Sequence, residues 1–134
     1  MEFNLSHAGD YAVCAVGEAA LGCDIEQIRK YSMSVARRFF CERETRLLEA
    51  AVTPEAQEDL FFRLWTLKES YLKAVGSGLS QPLSSFCVSF DTGRPALSGY
   101  EDVWQLREFS VAEGYRCAVC APAAAQISET PLFL

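Results

Sequence analysis

A glutamate and a lysine one helical turn apart, Glu69 and Lys73, are the residues of this chain that most directly suggest chemistry. They lie in segment 65–78, whose apolar spacing predicts a helix that ends at glycines. A carboxylate that suits a hard cation, beside an ammonium that suits a phosphate, is what an enzyme acting on a magnesium-bound pyrophosphate needs. The alternative is an exposed ion pair of i,i+4 spacing, which stabilises a helix by only about 0.2–0.5 kcal/mol.

A second acidic pair, Asp24 and Glu26, follows the turn residue Gly22. Alternation over 22–26 predicts a short strand, which would place both carboxylates on one face and Ile25 in the core. Adjacent carboxylates repel unless a cation lies between them, and magnesium is a cation that carboxylates bind. Together with Glu69 the pair forms an all-oxygen donor set suited to magnesium or manganese. An edge strand with solvated acids is the alternative.

Ser6 and His7 form a third polar group, just before a turn of small residues and an apolar segment. A hydroxyl and an imidazole in this position could reach phosphate oxygens. His7 is the chain's one histidine, and a lone histidine is more often a structural hydrogen-bonding residue than a catalyst.

The pattern around these groups predicts an α+β fold, a mainly antiparallel sheet with helices packed on one face, because strands precede and follow a block of helices. Thr53 is a plausible N-cap for the longest helix and Pro54 suits its first position, while Gly76 would end it. A hairpin-type turn is expected at 91–93. The predicted strands are 11–17, 22–26, 84–90, 103–110 and 115–121, and the predicted helices are 33–40, 43–51 and 55–76.

Composition fits one domain: 134 residues, of which 50% are apolar, can bury a substantial core. A net charge of −6 argues against nonspecific nucleic-acid binding. No apolar run is long enough to span a membrane and no signal-peptide pattern opens the chain, so a cytoplasmic location is expected. The six cysteines lie mostly in apolar, strand-like contexts, which favours reduced thiols over a zinc site.

Four segments follow one another along the chain: Asn4-Leu5-Ser6-His7, Gly22-Cys23-Asp24-Ile25-Glu26, Phe39-Phe40-Cys41-Glu42-Arg43-Glu44 and Trp65-Thr66-Leu67-Lys68-Glu69-Ser70-Tyr71-Leu72-Lys73. In this order they resemble the motifs of 4'-phosphopantetheinyl transferases, specifically the surfactin-synthetase-activating type. The resemblance extends from Phe3 to about Cys120. Its most specific parts are the G-x-D-x-E and W-x-x-K-E-S-x-x-K patterns; either alone would be weak.

The resemblance implies an enzyme that moves the phosphopantetheine arm of coenzyme A onto a serine of an acyl or peptidyl carrier protein and releases 3',5'-ADP. By position, Asp24, Glu26 and Glu69 would hold Mg²⁺, with Mn²⁺ as a substitute. Lys73 would neutralise the phosphate under attack, and Glu69 could accept the serine proton. Coenzyme A phosphates would be contacted by Ser6, His7, Lys73 and, through its long side chain, Lys68.

The chain departs from the family in its extent, because members of this type usually have two similar halves and this sequence matches the second. We therefore expect residues 1–121 to form a transferase-like half-domain and 122–134 to form a tail. The apolar surface left by a missing half predicts a homodimer, or pairing with that half. The alternatives are a non-catalytic half-domain that binds coenzyme A or a carrier protein or completes a partner chain, and, less favoured, a cysteine-based zinc or redox protein.

An acidic carrier protein would need a locally basic docking surface on this acidic chain. Most of the candidate arginines could equally be ordinary solvated helix surface. The candidates are Arg29, Lys30, Arg37, Arg38, Arg43 and Arg46.

Overall fold

The computed structural model describes residues 1–76 and 81–129 of the chain. Three strands come first, then three helices, then a short 3-10 helix at Leu83–Ser85 and four further strands. The helices are α1 (Met33–Phe39), α2 (Glu42–Glu49) and α3 (Pro54–Val75). The strands are β1 (Glu2–Ala8), β2 (Tyr11–Gly17), β3 (Gly22–Gln27), β4 (Val88–Ser89), β5 (Ala96–Leu97), β6 (Trp104–Phe109) and β7 (Tyr115–Pro122).

All strand pairs in the described residues are antiparallel, and they form three small sheets. β1 and β2 form a hairpin, β4 pairs with β5, and β7 lies between β3 and β6. The register places Asp24 of β3 opposite Ala118 of β7. The predicted α+β class with antiparallel pairing is confirmed, with the strands distributed over three sheets.

The long helix α3 begins and ends at the residues that the sequence predicted. The Thr53 hydroxyl accepts a hydrogen bond from the Ala56 backbone N–H at 3.1 Å, and Pro54 occupies the first turn. Gly76 has φ +67°, the left-handed conformation that favours glycine at a helix end. Ser77 and Gly78, also expected to stop the helix, lie outside the described residues.

The core lies between α3 and the β3–β7–β6 sheet. α3 packs along both β3 and β7, and its buried side chains include Leu64 and Leu67. From the sheet, Ala118 and Cys120 are fully buried in this core. Ile25 is also fully buried, on the face of β3 opposite to Asp24, so the prediction that its side chain is buried is confirmed.

Strand β1 was not predicted, because its pattern is inverted. Asn4 and Ser6 face the protein, where they hydrogen-bond to β3, while Phe3 and Leu5 are 67% and 61% exposed. The predicted strand over 84–90 is also corrected: the 3-10 helix occupies its first residues and only Val88–Ser89 pairs, with β5.

The expectation that the cysteines are reduced is wrong for one pair. Cys41 and Cys87 form a disulfide that joins the start of α2 to the segment before β4, across 46 positions of sequence. Cys23, Cys117 and Cys120 are buried free thiols, as expected of cysteines that act as small apolar residues. Among the described residues, none of the helices has the length and apolar character needed to cross a membrane.

Candidate functional site

Strand β3 and helix α3 bring the predicted acidic and basic residues together. The Lys73 ammonium donates hydrogen bonds to Asp24 Oδ1 at 3.1 Å and to the Cys23 carbonyl at 3.0 Å. These contacts span about fifty positions of sequence. Lys73 therefore faces the acidic strand and does not simply pair with Glu69 along its own helix.

Gly22 makes this close approach of strand and helix possible. A Cβ atom added there would lie 2.2 Å from the Ser70 carbonyl oxygen, 2.6 Å from the Ala74 nitrogen and 2.9 Å from the Lys73 Cβ atom. Two of these atoms are helix backbone, which cannot rotate away. A side chain at position 22 would thus push β3 off α3 and separate Asp24 from Lys73.

Asp24 is a buried carboxylate, and within the described residues only one of its two oxygens has hydrogen-bond partners. Its Oδ1 accepts hydrogen bonds from Lys73 and from the Ser6 hydroxyl, the latter at 3.3 Å, whereas Oδ2 is buried and has no hydrogen-bond partner within the described part of the chain. The pKa of Asp24 is raised to about 7, mainly by burial; Lys73 lowers it, and the charges of Glu26 and Glu69 contribute to the rise. The free oxygen could accept a cation or another donor.

Glu69 shares this electrostatic environment. The pKa of Glu69 is raised overall, and burial is the main cause. Lys73 lowers this pKa, and the charge of Glu26 contributes to the rise. Mutually repelling carboxylates with an orphaned buried oxygen are a donor set whose chemistry suits Mg²⁺. In residues 1–76 and 81–129, however, no group of three His, Cys, Asp or Glu side chains is close enough to hold a metal ion. Glu26 instead lies 3.6 Å from Arg29.

Ser6 and His7 are not brought together. Ser6 faces inward, where its hydroxyl accepts a hydrogen bond from the Ile25 N–H at 3.1 Å, whereas His7 points to the opposite, exposed face of β1. Asn4, to which the motif analysis gave no role, also faces inward and accepts a hydrogen bond from the Cys23 N–H at 2.9 Å. Polar residues at alternate positions, Asn4 and Ser6, were the signal that could have revealed this inward face.

Lys68 lies elsewhere, and the expectation that it contacts a phosphate is corrected. Its side chain is fully buried, and its ammonium donates to Glu44 Oε1 and to the Phe86 carbonyl, both at 2.6 Å. The ammonium also lies 4.4 Å from the centre of the Phe86 ring. Burial lowers the pKa of Lys68. A phosphate could reach this ammonium only if the ion pair opened.

A cleft of about 650 Å³ opens beside Glu69 and Lys73. One wall comes from α3, and the facing wall comes from the end of α1 and from the segment 81–84, which the motifs did not assign to the site. Its walls carry both cationic and apolar groups, as an organic phosphate with an apolar arm would require. The lining residues are Asn4, Arg38, Phe39, Glu69, Leu72, Lys73, Gly76, Gln81, Pro82, Leu83 and Ser84.

Several of the basic candidates for a docking surface are paired with acids. Arg37 lies 3.9 Å from Glu49, Arg46 pairs with Glu42, and Arg29 lies over the ring of Phe62 as well as near Glu26. These arginines fit ordinary solvated surface. Arg38 differs, since it is exposed and lines the cleft.

Family membership follows from comparison with known proteins. Residues 20–120 match the family model of the 4'-phosphopantetheinyl transferase superfamily, so the chain belongs to that superfamily, as the motifs predicted. It is 41% identical over 125 residues to a 4'-phosphopantetheinyl transferase of Bacillus subtilis, covering 90% of this chain and 55% of the relative. It is 39% identical to the 4'-phosphopantetheinyl transferase HetI of a Nostoc species over 79% of this chain and 45% of that protein.

Solved structures with the same fold include holo-(acyl-carrier-protein) synthases. The enzyme of Bacillus anthracis, solved in complex with CoA (3',5'-ADP), superposes with a TM-score of 0.64 at 23% identity, covering 76% of this chain and 93% of that one. The Thermotoga maritima enzyme gives 0.62 at 19% identity, covering 76% of this chain and 61% of that one. The chain thus matches nearly a whole chain of the first structure but spans about half the length of the curated relatives.

Proposed function

We propose that this chain carries the metal and phosphate half of a magnesium-dependent enzyme that transfers the 4'-phosphopantetheine arm of coenzyme A to a carrier-protein serine. The carrier is an acyl or peptidyl carrier protein, and the second product is 3',5'-ADP. One structural observation supports this proposal in addition to family membership. Asp24, Glu69 and Lys73 converge beside a cleft, and one buried oxygen of Asp24 has no hydrogen-bond partner in the described residues.

Asp24, Glu26 and Glu69 are the residues that would hold Mg²⁺. The support is their donor chemistry and their mutual effect on pKa. Bound Mg²⁺ would neutralise pyrophosphate charge, which is a large part of phosphoryl-type catalysis. Lys73 is the cation already present, and its ammonium would turn from Asp24 to a phosphate oxygen when the carboxylates bind metal. Ser6 and Asn4 hold the backbone of β3 in place through hydrogen bonds.

In the transfer step, the carrier serine Oγ forms a bond to the phosphorus that bears the pantetheine arm, and the bridging P–O bond to 3',5'-ADP breaks. The serine proton must leave as that bond forms, and Glu69 is the carboxylate we assign as its acceptor. Its raised pKa makes Glu69 a better base than an exposed carboxylate. Lys73 stabilises charge on the phosphoryl oxygens. His7, exposed on the outer face of the hairpin, could contact coenzyme A phosphates only from that side.

The direct test mixes the chain, coenzyme A, Mg²⁺ and an apo carrier protein, and measures the intact mass of the carrier. We expect the carrier serine to gain the mass of the phosphopantetheine arm, in the presence of a first half taken from a relative if the chain alone is inactive. Asp24→Ala and Glu69→Ala should each abolish transfer with the fold retained. The matched control is Glu42→Ala, which removes an exposed carboxylate that does not line the cleft. No transfer after restoration of the first half would contradict the proposal.

The second candidate is a non-catalytic half-domain that binds coenzyme A or a carrier protein, or completes a partner chain. Two observations favour it: the chain spans about half the length of its curated relatives, and the described residues contain no ready three-ligand metal cluster. Titration calorimetry separates the two functions. Coenzyme A binding without transfer to any carrier, first half included, would identify the half-domain.

We further propose that the hairpin face is covered by a second subunit or by the first half. Phe3 lies opposite Val16 and Leu5 opposite Cys14 on the outward face, and all four are exposed. Light scattering on the purified chain should show a dimer. A monomer at micromolar concentration would rule out the second subunit and leave the first half as the partner that covers this face. We also propose that the domain ends near residue 121, because β7 ends at Pro122. A cytoplasmic location is the last part of the proposal.

A further inference from the structure

The Cys41–Cys87 disulfide joins the two segments that form one wall of the cleft. Arg38 and Phe39, at the end of α1, lie just before Cys41, and the lining segment 81–84 lies just before Cys87. α1 also packs directly against the 3-10 helix at Leu83–Ser85. The covalent bond therefore holds this wall together at the point where both of its segments leave the cleft.

The buried ion pair fastens the same two segments by non-covalent means. Glu44 accepts hydrogen bonds from the N–H groups of Cys41, at 3.0 Å, and of Val88, at 2.7 Å. Lys68 donates to Glu44 and to the Phe86 carbonyl. Because these bonds hold the neighbours of both cysteines, breaking the disulfide need not separate the segments. It would remove one restraint from a wall that stays folded.

The two bonded cysteines are also the accessible ones among the described cysteines near the cleft. Cys41 and Cys87 are both partly exposed, whereas Cys23, Cys117 and Cys120 are buried. Burial raises the pKa of Cys117 and of Cys120 to about 12, which leaves these thiols poorly reactive. A small thiol in solution can therefore reach the Cys41–Cys87 bond, and the buried thiols of Cys117 and Cys120 are too weakly ionised to compete with it as nucleophiles.

We propose that Cys41–Cys87 is a reversible redox site that sets the affinity of the cleft for its ligand, oxidation tightening and reduction loosening the 81–87 wall. The co-reactant is a low-molecular-weight thiol. Its thiolate attacks one cysteine sulfur, the S–S bond breaks and a mixed disulfide forms; a second thiolate then attacks that mixed disulfide. Two thiols are oxidised to one disulfide, and Cys41 and Cys87 each take up a proton. In a reducing compartment disulfides are rare, and those that form are usually transient and catalytic or redox-sensing.

The effect on coenzyme A binding rests on the proposed function, whereas the redox site itself does not. We expect reduction to weaken the binding of a thiol-free coenzyme A analogue about fivefold or more. The reason is that ordering the backbone of even one loosened residue on binding lowers the binding constant by about that factor. A thiol-free analogue is needed, since coenzyme A could itself exchange with the disulfide. Calorimetry on the oxidised chain, the glutathione-reduced chain and the double variant Cys41→Ser/Cys87→Ser gives the affinities.

Hydrogen exchange measured by peptide provides the readout that is independent of function. At labelling times too short for global unfolding, reduction should accelerate exchange in 81–88 and 38–44 and leave α3 and β3 unchanged. Alkylation and mass spectrometry should show two new thiols at Cys41 and Cys87. The matched control is Cys14→Ser, which removes the exposed thiol of the hairpin and should leave exchange in 81–88 and 38–44 unchanged.

Each outcome decides the proposal. Selective exchange with weaker binding supports it. Acceleration throughout the chain at these short labelling times would overturn it, because the disulfide would then restrain the whole fold and not this wall in particular. Unchanged exchange or unchanged affinity would overturn it as well. If neither redox form binds the analogue, the proposed function of the chain alone fails, and the exchange pattern alone decides whether the wall is redox-controlled.

Discussion

Replacement of Glu44 by alanine tests how much the buried ion pair between Glu44 and Lys68 contributes to stability. Its carboxylate accepts three hydrogen bonds, from Lys68 Nζ and from the backbone N–H groups of Cys41 and Val88. Glu44→Ala would leave the Lys68 ammonium buried with the Phe86 carbonyl as its remaining acceptor. Breaking one side of a buried ion pair costs about 3–5 kcal/mol, and an unsatisfied buried donor adds about 1–3 kcal/mol.

These costs overlap, so we expect Glu44→Ala to lower the free energy of unfolding by about 4 kcal/mol or more. That is a large part of the roughly 5–15 kcal/mol that stabilises a domain. Glu42→Ala is the matched control: the same residue type on the same helix, also paired with a cation, but 79% exposed. Its cost should stay below about 1 kcal/mol.

Urea unfolding followed by circular dichroism, with the disulfide kept oxidised, measures both variants. If Glu44→Ala falls within about 1 kcal/mol of the Glu42→Ala control, the burial argument is refuted. A third variant, Glu44→Leu combined with Lys68→Met, removes both charges. It should recover much of the loss, because a well-packed apolar pair avoids burying an unpaired charge.

Three further predictions concern the site and the disulfide. Gly22→Ala should abolish transfer and shift the unfolding midpoint down, because its Cβ atom would clash with the Ser70 carbonyl; wild-type activity would refute the close-approach argument. Burial raises the Asp24 pKa from 3.8 to about 7, so the folded state binds that proton more tightly than the unfolded state. Without metal, the free energy of unfolding should therefore fall by up to about 4 kcal/mol as pH rises from about 4 to 7. Asp24→Asn should remove that fall, measured by urea unfolding across pH in a chelator, and a slope that persists would contradict the assignment. Reduction of Cys41–Cys87, which closes a loop over 46 positions, should lower the free energy of unfolding by about 4 kcal/mol in the chain-entropy view; a change below about 1 kcal/mol would contradict that view.

Local patterns in the sequence were enough to predict much of the frame. The Thr53 cap, Pro54 and the left-handed Gly76 delimit α3 within a residue, because each signal acts on its own backbone or that of near neighbours. The alternation around Ile25 predicted β3 and its buried side for the same reason. The carboxylates of Asp24 and Glu69 indicated metal chemistry, because residue type alone determines which donor atoms a side chain can offer a cation.

Partner choice over long separations was decided only by the tertiary structure. Lys68 resembles Lys73 in type and helix, yet packing buries it against Glu44, 24 positions away, and turns Lys73 to Asp24, 49 positions away. The disulfide joins cysteines whose neighbours gave no pairing signal. Asn4 and Ser6 point inward because β3 offers them backbone donors, which is why an inverted strand escaped the hydrophobic pattern. Sequence spacing determines which side chains share a face, whereas the packing of β3 on α3 through Gly22 determines which of them meet.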